Sequence, residues 1–477
     1  MPTIQMLREV QEGHLKRGLK NRHIQLIALG GAVGTGLFLG TGGAIFVAGP
    51  SVILGYALAG FLAFLIMRQL GEMDTEEPKA GSFSYFAYKY WGEFPGFLAG
   101  WNYWILYVMV SVSELTAVAA YMQYWFPGLE TWISALLFFI LINVINLATV
   151  RAYGEMEFLF AIIKLIALTA MIGIGAYILF LNPELVPGAG VENLWRIPGS
   201  GEHAGDAAYG GFFPHGLKGL LLAVPIITFA FGGLELIGIT AAEADNPQEV
   251  IPKAVNQVIY RILCFYIGTL VILLSLYHWS NLHPTDSPFV MIFDRIGFKA
   301  VAGTLNFVVL TAALSVYNSS VYCNSRMLYG LALQGNAPKL FNQTDKRGVP
   351  GPAMLLSGVL TFLVVPLNYF LPSWIDAFHV AMSVVVSALV INWAMISMAH
   401  LKFKQYMIQH HHQTLFPSPW YPFSNYLCLA ATLFILGAMA TPDLGMLRAV
   451  LAVPIWVGLV YAGFRFLKKK TDEKTRI

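Results

Sequence analysis

Two glycine-broken apolar stretches carry most of the chemistry this chain could do. The first reads Gly30-Gly31-Ala32-Val33-Gly34-Thr35-Gly36-Leu37-Phe38-Leu39-Gly40, and the second Phe229-Ala230-Phe231-Gly232-Gly233-Leu234-Glu235. A helix that comes apart exposes N–H groups and a positive dipole end, which suit a carboxylate. It also frees carbonyls, which suit an ammonium group. Glycines at Gly31, Gly34 and Gly36, beside Thr35, let a ligand approach the amides closely. In the second stretch Gly232 and Gly233 loosen the backbone, Phe229 and Phe231 offer rings to an apolar side chain, and Glu235 supplies a carboxylate. Small-residue helix packing is the competing account of the first stretch, and a hydrogen bond to a neighbouring helix that of Glu235. A dinucleotide site is excluded, because no βαβ unit can be placed around these glycines.

Other polar residues sit inside apolar runs. Lys164 lies among Ile162, Ile163, Leu165 and Ile166, which offer it no partner. A lysine in hydrocarbon gives up its proton more readily than one in water. It is therefore a proton carrier, a fixed cation standing where a sodium ion would bind, or half of a permanent ion pair. Tyr103, Tyr107 and Ser111 follow at i+4 steps, with Glu114 three further on, so one helix face carries phenols and a carboxylate. An interfacial aromatic belt explains Trp101, Tyr103 and Trp104 equally well. Thr311, Ser315, Asn318, Tyr322 and Arg326 form a polar stripe at helical spacing, and His379, Ser383 and Ser387 a weaker one. Glu243 and Asp245 pair with a basic residue such as Arg22 as an inner gate, or cap a loop; Glu72 is similar. His410-His411-His412 reads as a solvated loop rather than a metal site.

Positioning these residues is the task of the apolar runs themselves. The chain has 477 residues, is 57% hydrophobic and only 12% charged, about half the charge of a soluble domain. Apolar runs fall at 24–45, 51–70, 96–124, 130–150, 157–181, 217–241, 257–279, 300–330, 352–371, 374–397, 424–441 and 445–467. Each approximates the 20 residues that cross a bilayer. With the N-terminus inside, the outer loops receive only Arg196, Lys218, Arg295, Lys299 and Arg448, while the inner side takes nearly all the rest, Arg261 included. That asymmetry puts both termini in the cytoplasm. Residues 1–23 read as a cytoplasmic segment with no cleavable signal, 24–467 as the membrane domain and 468–477 as a basic tail. Cys264, Cys323 and Cys428 read as small core residues.

Five runs precede the second break, so the sixth helix enters the membrane opposite to the first. The expected fold is an all-α integral membrane protein of twelve transmembrane helices. It comprises an inverted five-helix repeat (1–5 and 6–10) and two extra helices, with helices one and six unwound at mid-membrane. Interrupted spans at matching places in two halves are the sequence sign of a transporter's substrate site.

Several stretches resemble bacterial amino acid permeases of the amino acid–polyamine–organocation superfamily. They include Leu15-Lys16-Arg17-Gly18-Leu19, Gly30 to Gly40, Arg68-Gln69-Leu70-Gly71-Glu72-Met73, Gly154-Glu155-Met156-Glu157-Phe158 and Gly238 to Glu243. Asp286 to Val290, Ser315 to Met327 and Gln334 to Lys339 are similar too. Within the family Val316 to Arg326 is most similar to the general aromatic and phenylalanine permeases. The resemblance implies proton-driven uptake by alternating access. It places substrate contacts at Gly31, Gly34, Thr35 and Gly36 and at Phe231, Gly232, Gly233 and Glu235, and coupling at Lys164. Pro225 departs from the family pattern and puts the pocket's shape in question.

The expectation is a proton-coupled importer of aromatic amino acids in the bacterial cytoplasmic membrane, without cofactor, metal or nucleic-acid partner, and not an enzyme. Its substrate would contact Tyr103, Tyr107, Phe229 and Asn318 besides the glycines. Glu114 and Glu235 would assist Lys164 in coupling. The same fold carrying proline, histidine or a basic amino acid is the first alternative, and a non-transporting sensor the second.

Overall fold

A computed structural model describes residues 25–26, 33–199, 202–244, 246–282, 287–295, 297, 299–370 and 374–475. Gly31, Arg22 and Asp245, expected at the first break and the inner gate, lie outside the described residues.

Among the described residues the chain is helical, without strands. Helix α1 runs as Thr35–Phe38 and, after a turn at Leu39, Gly40–Ala48. A short turn at Gly49–Ser51, where Gly49 takes φ 62°, leads into α2, Val52–Glu76. Then come α3 (Glu93–Met122), α4 (Thr131–Ala148) and α5 (Val150–Leu181). Thr149 starts α5 as its N-cap, its hydroxyl accepting from the Ala152 amide at 3.0 Å; such caps satisfy amides that the helix itself cannot. Helix α6 is split into Gly216–Phe229 and Leu236–Ala241. Pro225 sits inside its first half without ending it.

The rest follows as α7 (Pro247–Arg261, a π-helical segment Ile262–Ile267, and Gly268–Leu276), α8 (Lys299–Leu333) and α9 (Gly351–Phe362 and Val364–Phe370). Last are α10 (Trp374–Gln409), α11 (Phe423–Met439) and α12 (Leu447–Thr475). The final helix continues through 468–475, so that part of the basic tail is helical.

Nine helical stretches among the described residues are long and apolar enough to cross a membrane, the first comprising α1 and α2 together. Two shorter apolar helices, Gly216–Phe229 and Phe423–Met439, accompany them. Leu137, Ile140, Leu141 and Val144 on α4, and Leu451, Ile455 and Leu459 on α12, are exposed. Apolar faces of this extent are stable against lipid, not water. The protein is a multi-pass membrane protein.

Helices α3 and α8 form the centre. Helix α8 packs most extensively on α3 and also meets α5, while α10 covers α3 from another side. The first half of α6 lies along α1, and α7 along α2. This arrangement brings α1 against the split helix α6 at the core.

Candidate functional site

The break in α6 is a run of turns between Phe229 and Leu236. Gly233 adopts φ 98° there, a backbone conformation that costs other residues about 1 kcal/mol or more. The Ala230, Phe231 and Gly232 carbonyls receive no backbone N–H among the described residues. Such a run of carbonyls without backbone donors is rare in a protein core. Glu235 ends the break and is fully buried. Its carboxylate accepts from the Gly233 amide at 3.0 Å and from the Trp393 indole of α10.

The described part of α1 starts at the matching depth. Gly34 is its extended N-cap (φ −136°, ψ −151°), and its carbonyl already accepts from the Leu37 and Phe38 amides. A methyl placed on Gly36 would lie 2.6 Å from the Ala230 Cα and 3.0 Å from the Phe229 carbonyl oxygen. Helices α1 and α6 thus touch backbone to backbone, a contact that only glycine permits. On Gly34 the methyl would meet the Val316 side chain at 2.4 Å.

Between them lies a cavity of about 30 Å³, walled by Gly34, Gly36, Phe229, Gly232 and Gly233. Tyr107 and Glu114 from α3, and Val316 and Ser319 from α8, close it. A volume of that size admits one or two waters, so an aromatic side chain requires the walls to part. Glu114 is buried and accepts from the Thr35 hydroxyl at 2.7 Å, while its other oxygen, Oε2, has no partner.

Lys164 of α5 is fully buried. Its ammonium donates to the Val33 carbonyl, immediately before the α1 N-cap, at 3.1 Å, and to the Ser315 hydroxyl at 2.9 Å. Ser315 donates in turn to Glu157. Asn318 donates to the other Glu157 oxygen at 3.3 Å and accepts from Asn146 at 2.8 Å. The partners that the neighbouring isoleucines could not supply come from α1 and α8. Glu157 was not singled out as a candidate in the sequence, although it lies two helical turns before Lys164 on the same face. That spacing was the available signal.

The other expected residues are distributed as follows. Tyr107, Phe229, Gly34, Gly36, Gly232 and Gly233 converge on the cavity. Thr35 faces Glu114. Tyr103 packs on Phe83 and Tyr107 with its hydroxyl 3.9 Å from the Cys323 sulfur. Phe231 turns away, against the rings of Tyr266 and Tyr56. Asn318, expected at the substrate, is committed to Asn146 and Glu157 and does not line the cavity. Arg261 is fully buried and bonded to Tyr266 at 2.8 Å.

Comparison with known proteins extends this picture. The sequence model of the family described as amino acid permease matches residues 23–475. The chain belongs to the amino acid permease family. It is 58% identical to the aromatic amino acid transport protein AroP of Salmonella typhimurium (strain SL1344), over 98% of this chain and 99% of that one. It is 57% identical to the AroP of Escherichia coli (strain K12), over 99% and 100% of the two chains. The uncharacterized amino acid permease YtnA of Bacillus subtilis (strain 168) is 42% identical, over 96% and 97%.

At the C-terminal end of the permease's split helix, Glu243 pairs with Arg326 of α8 at 3.1 Å, both buried. Arg326 also stacks on Tyr322, its guanidinium carbon 4.0 Å from the ring centroid. Tyr322 in turn stacks on Tyr153 of α5 at 4.1 Å. Glu243→Gln leaves the guanidinium without its counter-charge and should cost about 3–5 kcal/mol, read as a lower melting temperature in detergent. The pair Glu243→Leu and Arg326→Met should recover most of that loss.

Proposed function

We propose that the protein carries phenylalanine, tyrosine and tryptophan into the cell by proton-coupled alternating access. It would do so as a transporter, not an enzyme, in the bacterial inner membrane with both termini inside. The observation that carries this reading is the backbone contact of α1 with the broken helix α6 beside a cavity and a run of carbonyls without backbone donors. The substrate carboxylate would lie on the amides that open α1 near Gly34 and Gly36, and its ammonium on the Ala230 to Gly232 carbonyls. Tyr107 and Phe229 would cover the ring. Identity of 57–58% over full length to transporters named for aromatic amino acids supports that substrate class.

The twelve-helix inverted repeat belongs to the same proposal. Contact between corresponding helices supports it, since α1 meets α6, α2 meets α7, α3 meets α8 and α4 meets α9. Such pairing is expected where two halves share a pseudo-two-fold axis. Coupling would pass through Lys164. Protonated, it binds the Val33 carbonyl with a charge-assisted bond and holds α1 against α5 and α8. Neutral, it holds α1 less firmly, which frees the helix to rock. Glu157, Glu114 and Ser315 would receive or relay the proton, and Glu235 would brace the α6 break.

Counterflow into proteoliposomes tests the substrate. Labelled phenylalanine should exchange against internal phenylalanine, tyrosine or tryptophan, and a pH gradient, acid outside, should drive net accumulation. Exchange against proline, histidine or lysine alone would reject the aromatic reading. Saturable binding without counterflow would indicate a sensor.

A further inference from the structure

Arg261 and Tyr266 face each other where α7 passes through its π-helical segment, Ile262–Ile267. A π-turn brings residues five apart into register, and such turns are frequent at functional sites. The Arg261 Nη2 donates to the Tyr266 hydroxyl at 2.8 Å, and that hydroxyl donates to the Ala230 carbonyl at 2.8 Å. Both side chains are fully buried. The Tyr266 ring packs on Phe231 at 5.0 Å and on Tyr56 at 5.7 Å. The Tyr56 hydroxyl is 2.7 Å from that of Thr41 in α1.

Ala230 is the residue on which Gly36 rests, and it heads the run of carbonyls without backbone donors. A peptide so released can rotate unless something outside the helix holds it. A phenol polarised by a guanidinium is a strong tether, because hydrogen bonds with a charged partner are about twice as strong as neutral ones. An arginine within a span is expensive and normally marks a working part. Since α7 packs on α2, the tether also ties the break to a neighbouring helix pair.

We propose that Arg261 and Tyr266 are a positioning pair that fixes the Ala230 carbonyl and, with it, the acceptors for the substrate ammonium. The inference rests on the reading of the central site given above. Neither side chain lines the cavity, so both act through the backbone of α6.

The test compares two ligands that differ only in the ammonium group. Phenylalanine carries it, and 3-phenylpropanoate keeps the ring and carboxylate without it. In proteoliposomes Tyr266→Phe should raise the KM for phenylalanine about tenfold, the scale of one charge-assisted hydrogen bond. The Ki of 3-phenylpropanoate should change less than twofold, so discrimination between the two collapses. Arg261→Met should act in the same way and Arg261→Lys should retain most of the discrimination. If Arg261→Met does not fold, Tyr266→Phe, which removes one oxygen, still decides the matter. An unchanged KM in Tyr266→Phe overturns the proposal. Equal weakening of both ligands also overturns it, because a general loss of packing would do that. Gly36→Ala serves as control in the same assay. If it too leaves phenylalanine unaffected, the central-site reading has failed. If it weakens phenylalanine while Tyr266→Phe does not, only the positioning pair has failed.

Discussion

Gly36→Ala will weaken phenylalanine uptake by about 10- to 100-fold, while Gly34→Ala will cost less. The difference lies in what each new methyl meets. At Gly36 it would stand 2.6 Å from the Ala230 Cα and 3.0 Å from its nitrogen, atoms that cannot move without moving α6. Overpacking of this kind costs about 1–3 kcal/mol, and each 1.4 kcal/mol is a factor of ten in binding. At Gly34 the nearest atom is the Val316 Cγ2 at 2.4 Å, the end of a side chain that a neighbouring rotamer can relieve. Both variants keep the apolar surface that drives insertion, so they should purify as monodisperse protein. The measurement is KM and maximal rate in counterflow, with melting temperature as a check on folding. Equal effects of the two substitutions would show that the backbone contact between α1 and α6 does not govern binding.

Lys164→Ala will abolish accumulation against a gradient and spare substrate affinity by comparison. The ammonium touches Val33 and Ser315 and is absent from the cavity wall, so its removal takes away a tether for α1 rather than a contact with substrate. Energised vesicles carrying the variant should equilibrate phenylalanine without concentrating it, with the apparent affinity within about threefold of the parent, a change under 1 kcal/mol. Glu157→Gln should produce a milder form of the same defect, since the amide keeps an acceptor for one of its two donors, Ser315 or Asn318. Uphill uptake by the lysine variant equal to the parent's would remove Lys164 from the coupling step. A large loss of affinity with coupling intact would assign it to substrate binding.

Much of this was legible in the chain. Uninterrupted apolar runs demand helices, because a backbone in lipid must satisfy itself, and the runs from Val52 and Glu93 are helices accordingly. The α6 break was equally plain, since Gly232-Gly233 interrupts a run that would otherwise continue. Glu235 and Lys164 stood out because charge inside a span is costly. Less legible was where each side chain would point. Asn318 and Ser315 share a stripe on α8, yet their hydrogen bonds go to α5 and α4, and the same stripe ends in the Glu243–Arg326 pair. Phe231 and Phe229 lie two apart, and only the latter faces the cavity, because the turns of the break rotate them differently.

Taken alone, the order of residues determined the membrane class, the helical runs, the place of the α6 break and the charged residues that had to find partners. Those are consequences of transfer energy and backbone satisfaction, which act along a segment. The tertiary structure decided the pairings: Lys164 with Val33 and Ser315, Glu235 with Trp393, Glu243 with Arg326, and Tyr266 with Arg261 and the Ala230 carbonyl. Arg261 shows the reason most clearly. Nothing near it in the chain distinguishes a basic residue at a membrane face from one buried against a broken helix. The difference comes from Ala230, whose carbonyl has no backbone donor, lies across the fold and is reached by Tyr266 only when α7 packs beside α6.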